Sequence, residues 1–244
     1  MTWYRELGIK RPLFQGGMAW ASNAELVAAV SNNGALGIIG SGGRTANELR
    51  RMIRKTKTLT SQPFGVNLML LDKNIKQLLE VICEEKISVV TTGAGSPKEI
   101  IDTIIGNNIK LFPVVPNKEI ALKMFKLPIS GIIVEGNEAG GHVGSQNLAS
   151  LLKEIAPICP LPLIAAGGIY DHHTASLANI LGANGVQVGT AFLLAKECQI
   201  SPIYQELICK SEENGTSLIS DKNGHLTRLL NISSEYPLNK SLKA

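Results

Sequence analysis

Aromatic residues make up only 5% of this 244-residue chain, charged residues 18%, and cysteine occurs four times. Each shortage excludes something. Cys83, Cys159, Cys198 and Cys209 are widely spaced with no C-x-x-C pair, which argues against a disulfide scaffold, a metal ribbon and thioredoxin-like chemistry. They read as ordinary reduced thiols. No apolar run approaches the roughly 18–20 residues that span a bilayer. The opening Met-Thr-Trp-Tyr-Arg-Glu lacks the basic-then-apolar layout of a signal peptide, so no membrane association is expected and a cytoplasmic location is. Charge is nearly balanced, at +4, with one visible concentration at Arg50, Arg51, Arg54, Lys55 and Lys57 on a single predicted helix. Without interleaved aromatic residues this cluster does not suggest nucleic acid. It reads as a solvated helix face, with a docking surface for an acidic partner as the alternative.

Apolar residues reach 44%, and glycine, at 24, outnumbers proline, at 11. That is a globular composition with a substantial core. Short apolar runs recur at Leu13–Gln15, Gly37–Ile39, Phe64–Asn67, Val89–Thr91, Leu111–Val114, Ile132–Glu135, Leu163–Ala165 and Val186–Val188, with starts 21–31 residues apart. Each is followed by a glycine-containing turn and a stretch of helical spacing. Continuous apolar strands alternating with helices predict a parallel sheet buried on both faces, and eight such units predict a TIM (β/α)8 barrel. A doubly wound open sheet is the alternative, because periodicity does not report closure.

The helices carry their own signals. Asn23 is a plausible N-cap for a helix with Leu26, Val27 and Val30 inward and Asn33-Gly34 at its end. Ser96 precedes Pro97 at a first helical position, followed by Ile100, Ile101 and Ile104. After about Thr190 the glycine-punctuated rhythm stops. A helix is predicted over Pro202–Lys210, then a weakly structured tail with turns at Ser211-Glu212-Glu213-Asn214-Gly215 and Asp221-Lys222-Asn223-Gly224. The predicted division is a barrel over residues 1–198 and a partial lid over 199–244.

In such a barrel the chemistry sits at the C-terminal ends of the strands. The candidates there are Gly16, Gly17 and Met18; Asn67; Thr92; Glu135, Gly140, Gly141 and His142; Ala166, Gly167 and Gly168; and Gln187, Gly189 and Thr190. A rim of glycine turns lets backbone N–H groups approach a flat or phosphorylated ligand, although tight turns alone need glycine too. The segments after the seventh and eighth strands occupy the usual phosphate corner, where backbone amides and the Thr190 hydroxyl would serve. Gly40-x-Gly42 lacks the third glycine of a dinucleotide fingerprint, and no phosphate-loop motif with a GK[ST] ending occurs.

His142 is the best-placed proton donor or oxyanion partner on the rim, with a structural histidine as the alternative. Asn67 can donate and accept, as the pyrimidine edge of a flavin requires. Glu135 reads either as a ligand contact or as a paired core carboxylate, and Met18 either as padding for a ring or as packing. His172 and His173 are adjacent on a helix and face different ways, and His225 reads as surface, so no metal site is expected.

Taken together, Phe14-Gln15-Gly16-Gly17-Met18-Ala19-Trp20, Pro63-Phe64-Gly65-Val66-Asn67-Leu68-Met69-Leu70-Leu71, Val89-Val90-Thr91-Thr92-Gly93-Ala94-Gly95, Pro113-Val114-Val115-Pro116, Glu135-Gly136-Asn137-Glu138-Ala139-Gly140-Gly141-His142-Val143-Gly144, Ala165-Ala166-Gly167-Gly168-Ile169 and Val186-Gln187-Val188-Gly189-Thr190 resemble one family. The chain is similar to the flavin-dependent enoyl-acyl-carrier-protein reductase II group, within the wider nitronate monooxygenase (2-nitropropane dioxygenase) family.

The resemblance implies a barrel binding FMN, with the flavin ring over Gly17, Met18 and Asn67, the phosphate at Gly167, Gly168, Gly189 and Thr190, and His142 as the catalytic residue. It implies NAD(P)H as co-substrate, a trans-2-enoyl thioester on acyl carrier protein as substrate, and a homodimer. A nitronate and oxygen, both small molecules, are the alternative substrates. Family chains usually run further, so a truncated flavin-binding or inactive remnant is a third reading, with apolar barrel surface left uncovered.

Overall fold

The computed structural model describes residues 2–212, 214–222 and 224–231. Strands β1 (Leu13–Gln15), β2 (Gly37–Gly40), β3 (Phe64–Met69), β4 (Val89–Gly93), β5 (Lys110–Val115) and β6 (Ile132–Glu135) are followed by a short β7 (Gly141–Val143), then β8 (Leu163–Ala166) and β9 (Gly185–Val188). All but β7 join one eight-stranded parallel sheet in the order β1-β9-β8-β6-β5-β4-β3-β2. The two ends meet through a parallel bridge between Phe14 and Leu36, where Gln15 N donates to Leu36 O and Leu36 N to Leu13 O, each at 2.9 Å. The ring is closed, so the fold is a TIM barrel and the open-sheet alternative falls.

Helices α1 (Ala24–Asn32), α2 (Ala46–Leu59), α3 (Ile75–Glu84), α4 (Ile101–Gly106), α5 (Lys118–Met124), α6 (Leu148–Ile155) and α7 (His172–Ile180) return the chain between strands. Local chemistry starts them. Thr45 and Glu48 form a reciprocal capping box on α2, Asn147 accepts from Ser150 N on α6, and Asp171 accepts from Thr174 N on α7. Asn23 occupies the N-cap of α1 without capping it, because its side-chain amide donates to Glu25 and to Glu197 O instead. Leu26, Val27 and Val30 are buried as predicted, and Gly34 turns the chain at φ +81°. Pro97 opens a 3-10 turn, Pro97–Glu99, ahead of a short α4 that buries Ile104.

Strand alternation divides the core in two. Val66, Leu68, Val90, Leu111, Val134 and Ala165 face the helices, whereas Phe14, Ile38, Val89, Phe112, Ile133 and Ile164 fill the barrel. A 3-10 turn, Trp3–Leu7, closes the N-terminal end. Trp3, Phe14 and Phe112 meet there with ring centroids 5.4–6.0 Å apart. Each fully buried ring contributes about 1.5–3 kcal/mol, so this floor is a large share of the barrel's internal packing.

The basic residues of α2 are largely neutralised. Arg54 and Lys57 reach the nearly buried Glu85 at 2.7 and 3.0 Å, while Arg50 pairs with Glu84 and Lys55 with Glu25. Burial opposes ionisation of Glu85, yet the hydrogen bonds from Lys57 and Arg54 outweigh it and hold the carboxyl below its ordinary value. These cations hold α2 to its neighbours, which leaves less charge for an acidic partner.

Beyond β9, α8 covers Pro202–Lys210, as predicted. The weakly structured tail is a correction. Strands β10 (Thr216–Ser220) and β11 (Leu226–Leu230) form an antiparallel hairpin, and β11 pairs with β7 to make a separate three-stranded sheet. Thr-Ser-Leu-Ile-Ser and Leu-Thr-Arg-Leu-Leu have no strict apolar alternation, so pattern does not reveal these strands. Glu213 and Asn223, within the two predicted turns, and residues 232–244 of the predicted lid lie outside the described residues. Apolar surface is uncovered on α7, which buries only Ala178 and leaves Leu177 55% and Ile180 79% exposed.

Candidate functional site

The mouth is formed by the C-terminal strand ends, and registered pairing decides which side chains line it. Gln187 is level with the inward Phe14, Asn67 with Gly40 and Thr91, and Glu135 with Ala166. These residues share the inner face. Thr92 does not. It is level with Leu68, which belongs to the helix-facing core, so Thr91 takes the inward place in its stead. The strict period of two along β4, counted from Val89, is the signal that would have found Thr91.

The turn after β1 is built from inside. Gln15 Nε2 donates to Ser22 Oγ at 2.8 Å and Gln15 Oε1 accepts from Ile38 N at 3.2 Å, while Ser22 Oγ accepts from Met18 N at 2.8 Å. Arg44 ties the neighbouring loops by donating to Gly40 O and Ala19 O, both at 3.0 Å. Thus fixed, Gly17 presses on Asn67, where any Cβ would collide. A Cβ on Gly16 would touch Gln187 at 3.5 Å, and one on Gly189 would approach Met18 Sδ at 3.8 Å. Gly16, Gly17, Met18, Asn67, Gln187 and Gly189 therefore converge along one side of the mouth. Thr91 Oγ1 donates to Asn67 Oδ1 at 2.9 Å, which leaves the Asn67 amide N–H groups as the donors available to a ligand.

Beside them lies a cradle of main chain. Gly167 and Gly168 have φ of +103° and +65°, conformations that L side chains rarely adopt. A Cβ on Gly167 would meet Ala139 N at 3.0 Å, and one on Gly168 would meet Glu138 Cβ at 3.2 Å. Among the described residues, the amides of Gly167, Gly168, Gly189 and Thr190 donate to no protein acceptor. Four unspent donors just past the ends of adjacent strands β8 and β9 suit an anion.

Glu135 is the ionisable side chain on the inner face of this upper layer. Among the described residues it makes no ion pair or hydrogen bond, which overturns the paired-carboxylate alternative. Burial pushes its pKa up to about 7. His142 is exposed on β7, level with Thr227 of β11. Its strand leaves a loop in which Gly140 and Gly141 have open space around them. The structure thus brings Gly16, Gly17, Met18, Asn67, Gln187 and Gly189 together, sets Gly167 and Gly168 beside Glu138 and Ala139, and leaves Gly140, Gly141 and His142 on the loop and strand after β6. No group of three or more His, Cys, Asp or Glu among the described residues could hold a metal, and none of the described helices is long and apolar enough to cross a membrane.

Comparison with known proteins follows the same outline. The family model for nitronate monooxygenase matches residues 3–78 and 73–235. A probable nitronate monooxygenase of Staphylococcus haemolyticus (strain JCSC1435) is 30% identical, over 94% of this chain and 79% of its own. A (3aS,4S,5R,7aS)-5-hydroxy-7a-methyl-1-oxo-octahydro-1H-indene-4-carboxyl-CoA dehydrogenase of Rhodococcus jostii (strain RHA1) is 34% identical over 80% of this chain. The chain spans only 55% of that relative's length. FabK from Thermotoga maritima superposes with a TM-score of 0.89 at 40% identity, covering 92% of this chain and 72% of that one.

Proposed function

The chain belongs to the nitronate monooxygenase family, and from that premise we propose that it is an FMN-dependent oxidoreductase that reduces trans-2-enoyl thioesters on acyl carrier protein, with NAD(P)H as reductant. The observation that carries the cofactor is the cradle of unspent amides at Gly167, Gly168, Gly189 and Thr190, which fits a phosphate. Gly17, Met18 and Asn67 would hold the ring, with the Asn67 amide N–H groups available to donate to it. Gln187 and the backbone at Ala166, Gly140 and Gly141 would complete the site, and Glu135, uncharged below about pH 7, presents a carboxyl that can donate as well as accept.

FMN, when bound, would supply hydride transfer from the nicotinamide to the substrate β-carbon. The protein's own part is the proton. His142, exposed on β7, would deliver one from its imidazole to the substrate α-carbon, which balances addition across the double bond. The thioester class is favoured over the nitronate by the motif resemblance, by the 40% identity to FabK and by the carboxyl-CoA named for the Rhodococcus relative. The relatives named probable nitronate monooxygenases keep the second reading, oxidation of an alkyl nitronate with O2, in play.

Anaerobic rapid mixing separates them. Bleaching of bound flavin by NADH or NADPH, followed by return of colour on adding crotonyl thioester, is expected. A flavin that no nicotinamide reduces, in a protein that turns over propyl nitronate in air, would reverse the assignment.

A further inference from the structure

Arg228 stands on β11, across the small sheet from the His142 strand, and its guanidinium reaches beyond its own strand. Nε donates to Asn137 O at 2.7 Å and one terminal nitrogen donates to Thr216 Oγ1 at 2.9 Å. One side chain, with two neutral acceptors, therefore joins the loop leaving β6 to β10 and β11. Asn137 closes that loop at its other end, where its N donates to Gln146 O at 2.9 Å and its Nδ2 to Ser145 O at 3.0 Å. The register sets Leu226 beside Val143, Thr227 beside His142 and Arg228 beside Gly141. Glu138 ties the same loop to α6 by accepting from Leu148 N at 3.0 and 3.1 Å, and Gly144 lies against Pro116, but β7 itself is slight. It is three residues long, Gly141 sits at φ +84°, and no atom lies within 4 Å of where a Cβ on Gly140 or Gly141 would be.

We propose that Arg228 is a positioning residue, which by donating to Asn137 O holds the His142 strand against the hairpin and so fixes the place of the imidazole at the mouth. This rests on the proton role given to His142 above. A charge-assisted bond across 91 residues of sequence is stronger than the neutral ladder bonds around it and is directional, so its loss frees the loop rather than the barrel.

The test uses the full chain, with and without FMN, as wild type, Arg228→Met and Arg228→Lys. In Arg228→Met, hydrogen exchange at the amides of residues 138–143 is expected to rise about tenfold or more while β3–β5 keep their protection, with partial rescue in Arg228→Lys. In the FMN-loaded protein the substrate half-reaction should slow by a similar factor, and Arg228→Met should cost nothing further in a His142→Ala background. Faster exchange confined to residues 216–230, or an equal slowing with and without His142, would overturn the proposal. A His142→Ala variant as fast as wild type would instead remove the proton role, a different failure, because the exchange result does not depend on it.

Discussion

The floor and the mouth of the barrel lie a few residues apart on the same strands. At the floor Trp3 and Phe112 each meet Phe14 edge to face, and Phe14, Ile38, Phe112, Ile133 and Ile164 fill the barrel with buried apolar side chains. At the mouth the inward places go to Asn67, Thr91, Glu135 and Gln187, with glycines between them and donors left unspent. One end spends its side chains on cohesion. The other forgoes cohesion and keeps its polar groups available, as a site must. Substitutions at the floor should therefore change stability without changing binding, and those at the mouth should do the reverse.

The largest effect is expected from Gly168→Val. A β-branched residue at φ +65°, with its Cβ about 3.2 Å from that of Glu138, strains the turn and blocks the amide cradle. FMN affinity should drop by roughly 100-fold or more, read by flavin fluorescence. Retained yellow protein would displace the phosphate from this corner. His142→Ala should follow, leaving FMN bound while slowing the substrate half-reaction by about 10²–10⁴-fold; unchanged turnover would take His142 out of the mechanism.

At the floor, Phe112→Ala should cost about 3–5 kcal/mol in denaturant unfolding and leave the FMN affinity of the folded protein as it was. A comparable loss of cofactor affinity would show that the two ends are coupled.

Glu135→Gln sharpens the contrast through pH. Burial raises the carboxyl from an ordinary 4.5 to about 7, so the folded protein keeps a proton that the unfolded chain releases. Stability contributed by the neutral acid is full below pH 4.5, declines between 4.5 and 7, and is gone above. The ceiling on that loss is about 3 kcal/mol, and the group's position at the open mouth lowers it. In cofactor-free protein the Gln variant should match wild type at pH 4 and exceed it at pH 8; a difference that does not vary with pH would show that the carboxyl is already ionised in the fold.

Much of this was legible beforehand. All eight barrel strands lie where the apolar runs predict, several extended by one or two residues at ends such as Met69, Lys110 and Ala166. The glycine turns gave the mouth because their requirement is local. Thr92 was misplaced by one residue, since naming a strand end does not say which of two adjacent threonines points inward. Of the β10–β11 hairpin only the connecting turn at Asp221-Lys222-Asn223-Gly224 is legible, because its strands lack strict apolar alternation, and a bond from Arg228 to Asn137 has no local signature.

Sequence alone determined the number of βα units and the glycine-lined mouth, because strand period, helix period and left-handed turns are dictated within a few residues of chain. Only the tertiary structure decided that the ring closes through Phe14 and Leu36, that Glu135 faces the mouth with no partner among the described residues, and that His142 stands on a strand held by the far hairpin. These are relations between segments distant in the chain, and they exist only once packing has brought those segments together.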